Sequence, residues 1–377
     1  MVSKLKLQDE DCNTKIEDGF KKSTGMLTLD LKQKIGETTF SVGFVLRSLA
    51  GKDDKWDNLM AHKKLSRAFP VILKVPTVIH LPTVNTLADD AFLEDFAVKL
   101  AERHDKEIYF YEHFAKRIKH VHLAKIFNSR TSYSTDGLEN ACILMSDLGV
   151  HGLMPNLVVG INKAQVEILI KTVAEIHAIS LSIPNSAEVI EKLRFTSPLD
   201  QEDGQAKGAA VENLLKLPHD YFRRHQKALE KVAKENEIML FDSHKHFGTP
   251  PVLCHGDFWS NNVFFEANED GTISEELYAI FDWQFSHPNT GLIDIARLIL
   301  CCVNASLKLR YLDDWLRLYF ESFNLVRRMF RHQYPSEMLF SFMILLNHYA
   351  RVEDEGLKTA LLGRMVSSFE VIRRDFA

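Results

Sequence analysis

Val252-Leu253-Cys254-His255-Gly256-Asp257-Phe258-Trp259-Ser260-Asn261-Asn262-Val263-Phe264-Phe265 runs from a short apolar segment through a sharp polar loop into a second apolar segment. In the spacing His-Gly-Asp-x-x-x-x-Asn, Asp257 and Asn262 can project into one cavity from a loop anchored on both sides. A carboxylate can accept the proton of an attacking hydroxyl, and an amide oxygen is a hard ligand suited to Mg2+. Downstream, Val263 to Glu266 and Leu277 to Phe281 read as strands flanking Asp270-Gly271, a hairpin signal. The hairpin returns the chain to Ala279-Ile280-Phe281-Asp282-Trp283-Gln284, which brings Asp282 back beside Asn262. Loop Asp and Asn often do no more than satisfy backbone amides. A second aspartate delivered to the same place by the hairpin weighs against that.

Two oxygen ligands suit a cation that also holds a polyphosphate, and a phosphate donor needs a further positive group. Lys74 lies inside the apolar run Val71-Ile72-Leu73-Lys74-Val75, where alternation sets it on the face opposite Leu73 and Val75. Between Asp90 and Phe114 the spacing is helical, with Glu107 three, four and seven residues before Phe110, Tyr111 and Phe114. A carboxylate on an aromatic face and a lysine in a strand can each supply the other's partner, so the sequence predicts the pair Lys74 and Glu107. The competing reading sends Lys74 to solvent from an edge strand.

The chain has 377 residues, 46 Lys+Arg against 51 Asp+Glu, and a formal net charge of -5. No basic excess marks a nucleic-acid partner. The 46% hydrophobic and 26% charged fractions are those of a folded globule. Five cysteines without CxxC spacing argue for a reduced chain, and the polar start from Met1 to Phe20 lacks a signal-peptide core, so a cytoplasmic location is expected. Leu292 to Val303 and Met338 to Leu346 are too short to span a membrane, and Asp294 and Arg297 interrupt the first.

Strand-like patterns at Thr38 to Leu49, Phe69 to Val75, His120 to Phe127 and Ala141 to Met145 gather in the first part of the chain, with Gly51 to Leu65 as an exposed hairpin connection. Beyond Leu148, helical spacing dominates: Lys163 to Ile179, Gly208 to Leu217, Pro218 to Asn236, Leu292 to Asn324, Ser336 to His348 and Gly356 to Arg374. The expected architecture is α+β, a small and mainly antiparallel-sheet lobe over residues 1–145 and a larger helical lobe over 146–377. A cleft between lobes is the usual place for a small ligand.

Strand lysine, helix glutamate, hinge, catalytic Asp with a following Asn, and a metal-binding Asp arrive in the order of protein-kinase-like phosphotransferases. His255-Gly256-Asp257-Phe258-Trp259-Ser260-Asn261-Asn262 with Phe281-Asp282-Trp283-Gln284 resembles the CHK kinase-like, or ecdysteroid-kinase-like, family within the aminoglycoside and choline phosphotransferase superfamily, and is closest to its nematode branch. Further matches are Leu73-Lys74-Val75-Pro76, Glu107 with Phe110-Tyr111, Leu144-Met145-Ser146-Asp147-Leu148, and Gly291-Leu292-Ile293-Asp294-Ile295-Ala296-Arg297-Leu298.

The resemblance implies a two-lobed protein-kinase-like fold and ATP-dependent phosphorylation of a hydroxyl on a small molecule. It implies Asp257 as catalytic base, Asn262 and Asp282 as Mg2+ ligands, Lys74 on the phosphates, Glu107 as its positioning partner, and backbone around Met145 to Leu148, Asp147 included, at the adenine. Asp294 would brace the catalytic loop. The family's phosphate-covering turn carries two glycines, whereas Ser41-Val42-Gly43-Phe44 keeps only Gly43. That departure motivates the alternative of a nucleotide- or ligand-binding protein with little catalysis. Trp259 and Trp283 are expected near the entrance of the acceptor pocket. His120-Val121-His122 and His244-Lys245-His246 read as structural or surface groups, His177 as a packing group, and Cys301-Cys302 as core.

Overall fold

The computed structural model describes residues 31–35, 43–49, 70–76, 90–133, 138, 141–195, 200–235, 239–319 and 323–376. The proposed connection at Gly51 to Leu65, and Ser41 and Val42 of the glycine-poor turn, lie outside them. The chain divides into two compact units, one running to Tyr111 and resuming over Ala124–Val150, the other made of Glu112–Leu123 and His151–Ala377.

The first unit is built on an antiparallel sheet of β1 (Leu31–Ile35), β2 (Gly43–Leu49), β3 (Pro70–Pro76), β4 (Ile126–Arg130) and β5 (Cys142–Ser146), in the order β1-β2-β3-β5-β4. β1 carries little apolar alternation, and sequence reading missed it. β3 is paired on both sides, Lys74 opposing Val45 of β2 and Ile143 of β5. The edge-strand reading of Lys74 is therefore wrong. Val71 and Leu73 are buried while Ile72 and Lys74 are partly exposed, the alternation a pleated strand imposes.

Helix α1 (Asp90–His113) follows, with Leu100, Ile108 and Phe110 buried on its apolar side. Its polar groups tie down the end of β4: His104 Nε2 donates to the Arg130 carbonyl at 2.9 Å, and Asp105 accepts from both the amide and the hydroxyl of Ser132 at 2.7 and 2.6 Å. The strand expected from His120 begins six residues later. The backbone of His122 is instead taken by the hairpin of the second unit, through His122 N to Tyr278 O and Ile280 N to His122 O at 3.1 and 3.3 Å.

The second unit opens its helical part with α2 (Lys163–Leu181), started by a capping box in which Asn162 and Gln165 exchange side-chain and backbone hydrogen bonds. Gln165 also reaches the Ser274 carbonyl at 2.8 Å and so ties the helix to a hairpin. Helices α3 (Ser186–Glu191), α4 (Asp200–Lys216), α5 (Tyr221–Arg224), α6 (Gln226–Glu235) and α7 (Met239–Phe247) come next. α3 and α7 were not anticipated, and the helix expected over Pro218 to Asn236 is two pieces. The strand β6 (Val252–Cys254), the hairpin β7 (Val263–Ala267) with β8 (Ile273–Ile280), and β9 (His287–Asn289) carry the polar loops, β6 pairing with β9.

α8 (Leu292–Cys302) is buried at every residue. Sequence spacing predicts one helix from Leu292 to Asn324, but α8 stops and α9 (Ala305–Tyr319) starts afresh. The reason is what captures the last carbonyls. The Cys302 carbonyl accepts from Ile161 N at 3.1 Å, and the Cys301 carbonyl from Arg364 Nη1 at 3.1 Å. α10 (Phe323–Arg351) runs through Pro335 and is longer than the helix expected from Ser336, and α11 (Glu355–Phe376) closes the chain. Arg364 of α11 is fully buried yet satisfied by carbonyls, since it also donates to the carbonyls of Leu157 and Val158 and to Asn304 Oδ1. No helix among the described residues is long and apolar enough to cross a membrane.

Candidate active site

The loop after β6 turns at Gly256, whose φ of +79° is the left-handed region. The turn is held from below by Asp294 in the first turn of α8. The amides of His255 and Gly256 donate to its two oxygens, Oδ2 and Oδ1, both at 2.8 Å. His177 of α2 adds a third bond, Nε2 to Asp294 Oδ2 at 3.1 Å, and the Tyr319 hydroxyl lies 2.8 Å from His177 Nδ1. Burial pushes the Asp294 carboxyl up, but the His177 bond, the neighbouring His255 and the backbone donor hold it below its ordinary value. Sequence reading gave Asp294 its bracing part; it left His177 as packing, whereas the ring is a polar link in the brace.

His255 ties the two halves of the site together. Its Nε2 donates to the Phe281 carbonyl at 2.9 Å, its Nδ1 accepts from Asp257 N at 3.3 Å, and its ring packs on Trp283 with centroids 4.6 Å apart. One tautomer serves both bonds.

Both oxygens of Asp257 are engaged. Oδ1 accepts from Arg297 Nη1 at 2.7 Å, and Oδ2 from Asn262 Nδ2 at 2.9 Å and Trp259 Nε1 at 3.1 Å. The Asp257 side chain is 15% exposed. Burial raises its carboxyl above the ordinary value, Arg297 opposes that, and Asp282 adds to it.

Asn262 Nδ2 also donates to the Asp257 carbonyl at 2.8 Å, so the amide nitrogen is committed to Asp257 and the network fixes Oδ1 as the oxygen that faces elsewhere. The hairpin register sets Val263 opposite Ile280, and Phe281 N donates to the Asn262 carbonyl at 3.1 Å. Asp282 is therefore the next residue after a backbone contact with Asn262, as the sequence predicts. Its φ and ψ are both +63°, left-handed for a non-glycine residue, and Gln284 Nε2 donates to its Oδ2 at 3.3 Å. An amide oxygen and a carboxylate are hard donors, and this set fits Mg2+ rather than a soft metal.

In the first unit Lys74 Nζ lies 2.5 Å from Glu107 Oε2, with side-chain exposures of 17% and 1%. Met145 is buried in β5, and Asp147 is buried with Oδ1 accepting from Gly149 N at 2.9 Å. Gly43 is the first residue of β2, opposite Pro76.

Further features were missed or misread. Arg297 and Glu337 carried no assignment, although an arginine inside the apolar run of α8 is itself a signal that a buried partner exists. Trp259 and Trp283 do not stand at an entrance: they are 5% and 1% exposed, and Trp259 is bound to Asp257. Cys302 is core, yet its sulfur also accepts from Ser260 N at 3.1 Å. His177, Cys254 and Asp294 place ligand-type atoms within 4.8 Å of one another. The carboxylate there is already taken by N–H donors and burial keeps the Cys254 thiol protonated, so the trio is structural.

Over 190 residues the chain is 22% identical to the uncharacterized oxidoreductase dhs-27 of Caenorhabditis elegans, a match that takes in 49% of this chain and 23% of that protein. The chain thus spans about a quarter of that relative's length. Among solved structures it is similar to the GDP complex of wild-type aminoglycoside 2'-phosphotransferase-IIIa, with a TM-score of 0.50 and 14% identity over 98% of this chain and 100% of that one. It is also similar to choline kinase from Cryptosporidium parvum Iowa II, with a TM-score of 0.49 and 13% identity over 92% of this chain and 91% of that one. The fold is α+β and protein-kinase-like, with small antiparallel sheets and a larger helical part. The chain belongs to the ecdysteroid kinase-like family, whose sequence profile matches residues 94–331.

Proposed function

We propose that this protein transfers the γ-phosphoryl group of ATP to a hydroxyl of a small organic molecule. The observation that carries the reading is the convergence of Asp257 and Asn262, on the loop before β7, with Asp282, just beyond β8 at the other end of the hairpin, and the direct bond from Asn262 to Asp257. Asp257 is the group that orients the acceptor hydroxyl and takes its proton. Asn262 and Asp282 would hold Mg2+, which when bound supplies positive charge against the phosphates. Lys74, ion-paired with Glu107, is assigned the same task. Catalysis on this arrangement is mostly positioning and electrostatics. Met145 to Leu148, Asp147 included, would receive the adenine.

Membership of the ecdysteroid kinase-like family and a fold shared with a phosphotransferase crystallised with GDP support the nucleotide part of this reading. The test is a screen of hydroxylated metabolites for ATP-dependent phosphate incorporation, followed by Asp257→Asn on any acceptor that responds. Loss of incorporation with an unchanged circular dichroism spectrum supports the assignment, and equal turnover by the variant refutes it.

Ser41 in place of a family glycine favours a second reading, a nucleotide- or ligand-binding protein without useful turnover. Thermal stabilisation by ATP with Mg2+ and no phosphate incorporation into any acceptor or water would select it.

A further inference from the structure

Asp257 is not held by its own loop alone. The plane of a carboxylate turns easily about its last torsion unless both oxygens are fixed. Asn262 and Trp259 fix Oδ2 from within the loop, and the bond to Oδ1 comes from Arg297, 40 positions further along the chain on α8. Arg297 in turn donates through Nε to Glu337 Oε2 of α10 at 2.6 Å, and its guanidinium carbon lies 4.2 Å from the centroid of the Phe340 ring. Arginine suits this place because its planar fork serves two carboxylates on different edges while its face packs on an aromatic ring. Arg297 and Glu337 are 5% and 1% exposed, so solvent does little to screen the contacts.

We propose that Arg297, anchored by Glu337 and stacked on Phe340, is a positioning residue that sets the orientation of the Asp257 carboxylate for phosphoryl transfer. The assignment rests on the proposed reaction for its catalytic consequence, while the arrangement itself is a statement about the folded protein. Glu337 and Phe340 fix the guanidinium, the guanidinium fixes Oδ1, and the loop fixes Oδ2.

Trp259 supplies a reporter that needs no turnover, because its indole N–H donates to Asp257 Oδ2. The chain has four tryptophans, so a 15N correlation spectrum holds a small set of indole signals, and Trp259→Phe identifies the one required. Arg297→Gln should move the Trp259 signal away from its wild-type position, in the direction seen with Asp257→Asn, and leave the other indoles in place. Glu337→Gln should move it the same way by a smaller amount. If Arg297→Gln does not fold because it strands Glu337, the double variant Arg297→Gln/Glu337→Gln removes both charges and carries the same expectation. An unmoved Trp259 signal in a folded Arg297→Gln or double variant overturns the proposal.

The kinetic arm measures ATP-dependent phosphate transfer to a responsive acceptor, or to water. Arg297→Gln should lower kcat by about 100-fold, the scale of a misplacement near the reacting atoms, with KM for ATP little changed. Arg297→Lys, which keeps charge but not the fork, should recover part of the loss. Unchanged kcat in Arg297→Gln also overturns the proposal. A wild-type protein that transfers no phosphate refutes the proposed reaction instead, and the indole spectrum still decides whether Arg297 orients Asp257.

Discussion

His177 Nε2 and Asp294 Oδ2 lie 3.1 Å apart in the interior, and the same aspartate receives the amides of His255 and Gly256. Asp294 is thus a fully buried acceptor for donors from two separate stretches. Asp294→Asn would set an amide N–H against one of those donors, and we expect a loss of about 3 kcal/mol in urea unfolding at neutral pH. The pH dependence has a definite sign. A carboxyl depressed below its ordinary 3.8 contributes stability that is present above that value and is lost as pH falls through the depressed one. The gap between wild type and variant should be constant down to about pH 4 and narrow below it. A gap that is independent of pH would count against the brace.

Gly256 and Gly271 share a φ of +79°, but their surroundings differ. A Cβ at Gly256 would meet the Phe285 carbonyl and His287 Nδ1, whereas a Cβ at Gly271 meets nothing within 4 Å. Gly271→Ala should cost about 1 kcal/mol, the price of left-handed backbone alone. Gly256→Ala carries that cost and a collision with backbone as well, so a loss at least about 1 kcal/mol larger is expected. Equal unfolding midpoints for the two variants would show that the His-Gly-Asp turn can move aside.

How much of this was readable from the chain depends on the reach of each interaction. Lys74 and Glu107 announced themselves as charges in apolar settings, and each needed a partner of opposite sign, so a pairing 33 residues apart could be inferred. Asn262 and Asp282 were legible because a two-stranded hairpin with an Asp270-Gly271 turn has predictable register. The break between α8 and α9 was not legible. It is made by Ile161 N and by Arg364, groups distant in sequence that no local spacing reveals. Arg297 is an intermediate case: its burial in α8 could be foreseen, but the choice of Asp257 and Glu337 as partners belongs to helix packing.

Asp282 holds its carboxylate on a left-handed backbone, φ and ψ both being +63°, that glycine adopts most readily and alanine poorly. Strain of this kind, on the order of 1–2 kcal/mol, is maintained where the side chain is needed. Asp282→Gly should therefore be more stable than Asp282→Ala by about 1 kcal/mol, and both should lose phosphate transfer and any Mg2+-dependent thermal shift with ATP. If the alanine variant is as stable as the glycine variant, the left-handed conformation is not a source of strain at this position.

Lys308 of α9 is fully buried, its Nζ bonded to Ser368 Oγ of α11 and surrounded by Arg364, Cys301 and Cys302. Burial and the neighbouring guanidinium push its ammonium down to about 7, against 10.5 in water. Between those values the unfolded chain binds a proton that the folded protein does not, so stability should rise with pH across that window and be flat below it. Lys308→Met keeps the length of the side chain and removes the titration. It should be the more stable protein at pH 7 by an amount on the order of 3 kcal/mol, and the advantage should shrink steadily as pH is raised toward about 10. Urea unfolding of both proteins across this range provides the measurement. Parallel stability curves would mean that Lys308 keeps its proton in the folded state, and a less stable methionine variant would mean that the bond to Ser368 outweighs the cost of burying the amine.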